Sequence, residues 1–116
     1  MLTKKEALEK TVHMWRWIAE ECERLKTVIS KQTYFECHNI SNIPRFGCFL
    51  CEYQIQYEVN TCLIKKWNLN DNYCGTACND YEYGDYCGSF DDGDYKKCAK
   101  AANAIADLAE MELKKL

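Results

Sequence analysis

The sequence predicts an α+β fold, with two terminal helices packed on a small central β/loop region. Three observations predict it: a capped amphipathic stretch at the start, an alanine-rich stretch at the end, and a strict apolar alternation between them. The 116 residues are 47% hydrophobic and 28% charged with one Pro, and a chain of that length buries roughly two thirds of its unfolded surface in one core. A single domain, 1–116, is expected.

The first helix is read over about 4–31. Thr3-Lys4-Lys5-Glu6 matches the capping box, in which a threonine hydroxyl and a glutamate three residues on satisfy each other's amides. Leu8, Val12, Trp15, Ile18 or Ala19, Cys22, Leu25 and Ile29 then recur at spacings of three and four, one stripe of an amphipathic helix. From Tyr34 to Arg45, turn-forming Asn, Ser and Pro break the pattern into a connecting loop. The middle, about 37–90, is cysteine-rich, and within it Tyr53, Ile55, Tyr57 and Val59 alternate with polar residues as on one face of a strand. The last helix is read over about 95–115. There Cys98, Ala101, Ala102, Ile105, Leu108, Ala109 and Leu113 share a face and Asp91, Asp92 or Asp94 offers an N-cap.

Nine cysteines stand at 22, 37, 48, 51, 62, 74, 78, 87 and 98. The odd count, a start with no apolar core of a secretion signal and the reducing compartment this implies argue for metal ligation of some of them over a disulfide framework. Cys48-Phe-Leu-Cys51 is a C-x2-C knuckle, which lets two thiolates reach one ion from a tight turn. Cys62 and Cys74 are the expected third and fourth ligands of a closed, structural four-cysteine zinc site that makes the β/loop region zinc-stabilised. Cys78, Cys87 and His38 compete for a place, or Cys74, Cys78, Cys87 and either His38 or Cys37 form a second site. Cys22 and Cys98 sit on apolar helix faces as core thiols, and His13 is a lone exposed histidine.

Net charge is −3, but between Asn68 and Tyr95 there are seven acidic residues and no Lys or Arg. Aromatics alternate with carboxylates there, and Asp80, Tyr81, Glu82, Tyr83, Asp85, Tyr86, Asp91 and Asp92 form a candidate partner-binding surface. Clustered carboxylates speed association with a basic surface, and tyrosines supply contact area. No global basic charge favours polyphosphate, so direct nucleic-acid binding is not expected. No apolar run of about 18 residues predicts a membrane span, and a cytoplasmic protein is expected.

The sequence contains no H-E-x-x-H, G-x-S-x-G, phosphate loop or dinucleotide fingerprint. Neither histidine opens the H-x-E of a zinc deaminase. An all-thiolate site leaves no open position for substrate, so no catalytic residue is assigned and a non-enzymatic protein is expected.

The chain resembles a family of short cysteine-rich phage and prophage proteins of Gram-positive bacteria. The resemblance lies in Lys4-Lys-Glu-Ala-Leu-Glu-Lys-Thr-Val-His-Met-Trp-Arg-Trp-Ile-Ala-Glu20, in Cys48-Phe-Leu-Cys51-Glu-Tyr, and in Ala104-Ile-Ala-Asp-Leu-Ala109. Family members carry C-x2-C-P-L before a tryptophan; here Val59 holds the first place, Cys62 the second, and the proline is absent. In size and cysteine usage the chain is also similar to zinc-containing inhibitors of type II CRISPR effectors. The resemblance implies a phage-derived anti-CRISPR inhibitor that binds a host protein, the RNA-guided nuclease, and blocks its nucleic-acid handling. The other reading is a small zinc-finger regulator that binds nucleic acid through Lys and Arg of its terminal helices.

Overall fold

Helix α1, Lys4–Leu25, starts where the capping box predicts. Thr3 Oγ1 accepts from the Glu6 amide at 3.1 Å and Glu6 Oε1 from the Thr3 amide at 3.1 Å. The helix stops earlier than the apolar spacing suggests, because Lys26 takes a left-handed conformation, φ 53°. Ser30 then caps a new helix, α2, Lys31–Cys37, its side chain accepting from the Thr33 amide. The 4–31 stretch is thus one helix plus a turn, and Ile29 is buried from the turn.

The structure is a computed structural model that describes residues 2–59, 61–68 and 81–116. Beyond α2, a 3-10 turn at Arg45–Gly47 leads into α3, Phe49–Tyr57. A second 3-10 turn, Lys65–Asn68, is followed in the described residues by α4, Glu82–Asp92, and α5, Tyr95–Lys114. There is no strand among the described residues, so the fold is all-helical and the α+β expectation is corrected.

The alternating stretch Tyr53–Val59 is where that expectation fails. It lies largely in α3, with Tyr53 and Tyr57 one turn apart on the same helix and their rings 4.7 Å from each other. Ile55, Tyr57 and Val59 are exposed, and the residues that seat the helix are Phe49, Leu50 and Gln54. A strand needs a neighbour to take its backbone N–H and C=O groups, and no strand lies beside this segment among the described residues. A helix satisfies them within itself.

The core is built on α1 and α5, which lie antiparallel. Cys22 meets Cys98, whereas Arg16, further back on α1, reaches forward on α5 to Asn103, Asp107 and Glu110. Buried Ala99, Ala101, Ala102, Ala106 and Ala109 let the helices approach closely around Leu8, Met14, Ile18 and Ile105. Asp94 is the N-cap of α5, accepting from the Lys97 amide at 3.1 Å. Helix α4 packs back on α5 after a left-handed Gly93, φ 62°, a conformation that glycine adopts without a Cβ clash.

Candidate functional site: a cysteine knuckle and an acidic helix

Cys48 is the N-cap of α3, and its Sγ accepts from the Cys51 amide at 3.4 Å. The knuckle is therefore the first turn of a helix, with both cysteines half-buried at its positive end. Hydrogen bonding to the Cys51 thiol and burial push the Cys48 thiol well above its ordinary value, with Lys31 opposing them. The approach to the knuckle is tightly constrained. Gly47 has φ +61°, and a Cβ there would meet Lys31 Cε at 3.4 Å and the Phe35 ring at 3.5 Å. The Lys31 ammonium donates to the Phe46 carbonyl at 2.9 Å and lies 4.7 Å above the Tyr83 ring, which ties the knuckle loop to α4.

A four-cysteine ion would need two more donors beside this pair. No three His, Cys, Asp or Glu side chains gather as a metal-holding group among the described residues, so Cys62 is not brought to Cys48 and Cys51. Cys62 is buried instead, its backbone clasped by Asn68, which accepts from its amide at 2.9 Å and donates to its carbonyl at 2.8 Å. Cys74 and Cys78 lie outside the described residues. Cys37 and Cys87 are exposed at other places on the surface.

The acidic stretch divides by burial. Asp80 lies outside the described residues, and Asp85, Asp91 and Asp92 are exposed on α4. Asp92 stands 3.5 Å from Lys97. Glu82, in contrast, faces inward and accepts from Lys66 Nζ at 2.5 Å and from Trp67 Nε1 at 3.1 Å. Burial would raise the Glu82 carboxyl, but the bonds from Lys66 and Trp67 outweigh it and hold the group below its ordinary value. Tyr86 is buried against Trp15, ring centroids 4.7 Å apart, and its hydroxyl donates to the Ile29 carbonyl at 2.7 Å. Tyr81 and Tyr83 are half-buried, Tyr81 beneath Lys66 and Tyr83 beside Trp15 and Tyr86. The tyrosines seat the helix while three aspartates point outward.

Two clusters escape a reading by sequence spacing. His13 is not isolated: its Nδ1 is 2.7 Å from the Tyr34 hydroxyl, and its ring lies 5.5 Å from that of His38. Trp17 closes the group at 5.1 Å from His38. The available signal is that His13 and Trp17, and Tyr34 and His38, are each four residues apart, so each pair projects from one face of a helical turn. Cys22 and Cys98 form the second cluster. No spacing pairs residues from opposite ends of the chain.

Comparison with family models, with curated proteins and with solved structures gives no match. No helix among the described residues is long and apolar enough to cross a membrane.

Proposed function

We propose that the protein is a non-enzymatic binding module that presents the outward carboxylates of α4 to a basic surface of a partner protein. The observation that carries this is the division of labour on α4. Tyr86 and Glu82 fix the helix to the core, and Asp85, Asp91 and Asp92 face solvent. Asp85 and Asp92 are seven residues apart, hence on one face. The sequence resemblance supplies the partner class, the RNA-guided nuclease of a type II CRISPR system, whose nucleic-acid channel is basic. Action in the cytoplasm of the host bacterial cell follows from that partner.

Zinc in this reading is structural, and its chemistry is to cross-link chain segments through thiolates. Cys48 and Cys51 are the first two ligands. Because Cys62 does not gather with them, the reading takes Cys74 and Cys78, whose C-x3-C spacing suits a second ligand pair.

The test is association with the purified nuclease, free of nucleic acid, over a range of salt. Replacing Asp85, Asp91 and Asp92 by Asn should slow association about tenfold and flatten its salt dependence, with dissociation little changed. Inhibition of cleavage should be stoichiometric. Equal association rates for the two proteins would move the binding face off α4, and loss of nuclease activity at sub-stoichiometric amounts would point to an enzyme.

A further inference from the structure

Cys22 of α1 and Cys98 of α5 are separated by 76 positions in sequence, yet their sulfurs lie 3.0 Å apart. Both side chains have no solvent exposure. A disulfide places its sulfurs about 2.05 Å apart, so bond formation needs a motion of only about 1 Å between two helices already in contact. The pair lies beside Tyr86, Ser89 and the Ile29 backbone, and the Glu23 carboxylate acts on Cys22. Neither cysteine belongs to the knuckle or the acidic helix.

We propose that Cys22 and Cys98 are an oxidation site, a dithiol that a hydroperoxide converts to an intramolecular disulfide, locking α1 to α5. The Cys98 sulfur attacks one peroxide oxygen; the S–O bond forms, the O–O bond breaks, and the released hydroxide takes a proton to leave as water. The Cys22 sulfur then attacks the Cys98 sulfenic acid. The S–S bond forms, the S–O bond breaks, and the second water departs. Two thiols and one hydrogen peroxide thus give one disulfide and two waters.

A hydrogen bond links the two sulfurs. Cys22 donates its S–H to Cys98. That hydrogen bond holds the Cys98 thiol below its ordinary value against the effect of burial, with the Ile29 backbone and Ser89 adding to it, and it raises Cys22. Attack by Cys98 with Cys22 resolving, or the reverse, gives the same disulfide and the same two waters. Burial makes the pair slow compared with the exposed Cys37 and Cys87, because peroxide must enter during a local opening.

The experiment oxidises the whole protein with hydrogen peroxide at high dilution, while circular dichroism reports that the helices persist. Incubation runs beyond complete hydrogen exchange of the α1 and α5 amides, so that every molecule has opened. Remaining thiols are then blocked, and the unreduced peptides are mapped by mass. The expected product is the Cys22 peptide joined to the Cys98 peptide, two hydrogens lighter than the separate thiols, in a protein with a raised thermal midpoint. Cys22→Ser should lose the link and leave Cys98 as a sulfenic acid trappable by dimedone. Recovery of Cys22 and Cys98 unlinked, linkage of either to another cysteine, or a link that forms only in urea would overturn the proposal. The wild-type map alone decides if the variant does not fold.

Discussion

Tyr86 is the residue on which the inner half of the acidic helix depends. Its hydroxyl donates to the Ile29 carbonyl inside the core, so Tyr86→Phe leaves a buried carbonyl unpaired and should cost about 1–2 kcal/mol in urea unfolding. The pH dependence has a definite sign. Burial raises the folded-state value of the phenol above that of the unfolded chain, so this contribution is complete below about pH 10 and declines as pH rises further. The stability difference between wild type and Tyr86→Phe should therefore hold near neutrality and change above pH 10, as measured by urea unfolding at several pH values. At this scale the sequence was informative only about local pairs. Thr3 with Glu6 and Cys48 with Cys51 can be found because a helix turn relates residues three apart. That Tyr86 and Glu82 turn inward was hidden, since an alternation of aromatics and carboxylates reads equally well as a wet surface or as a seated helix.

Among the elements, the terminal helices were legible and the central ones were not. Helix α5 follows its alanine-rich composition and its Asp94 cap. Asp94→Ala should destabilise the protein by about 1 kcal/mol, whereas Asp91→Asn and Asp92→Asn should leave thermal unfolding nearly unchanged, because neither caps the helix. Equal effects at all three positions would show a field effect of charge rather than a cap. Helix α3 misled because its apolar residues do not form one stripe: Tyr53, half-buried, tilts against the exposed Tyr57, while Phe49 and Leu50 enter the core from its first turn. What decides the element is the Cys48 cap and the lack of a partner strand among the described residues. Close packing makes a complementary prediction on the other side of the core. Ala102 has no exposure between α1 and α5, so Ala102→Leu should force the helices apart and lower stability by about 1–3 kcal/mol in urea unfolding.

For the whole molecule, the question is how much of the fold a metal could hold. Zinc binding at a structural site is folding free energy, and in very small domains its removal unfolds everything. Here the largest buried side chains come mostly from helices that do not carry the knuckle: Leu8, Met14 and Ile18 of α1, Phe35 of α2 and Ile105 of α5, with α1 tied to α5 by the Arg16 cluster. The segment that starts at Cys48 adds Phe49, Leu50, Ile64 and Trp67 to this core from one side. An ion on Cys48 and Cys51 would therefore clip that segment to the helical core rather than create the core. The expected result of adding a chelator, or of Cys48→Ser, is loss of zinc with most helical circular dichroism retained. Hydrogen exchange should accelerate in α3 and the Lys65–Asn68 turn, while α1 and α5 stay protected. Elemental analysis of the single variants separates the ligands: Cys74→Ser and Cys78→Ser should lose the metal and Cys62→Ser should keep it. Complete, cooperative unfolding on chelation would make the ion part of the core, and zinc-free wild-type protein with the same exchange pattern would remove the metal from the account of α3 altogether.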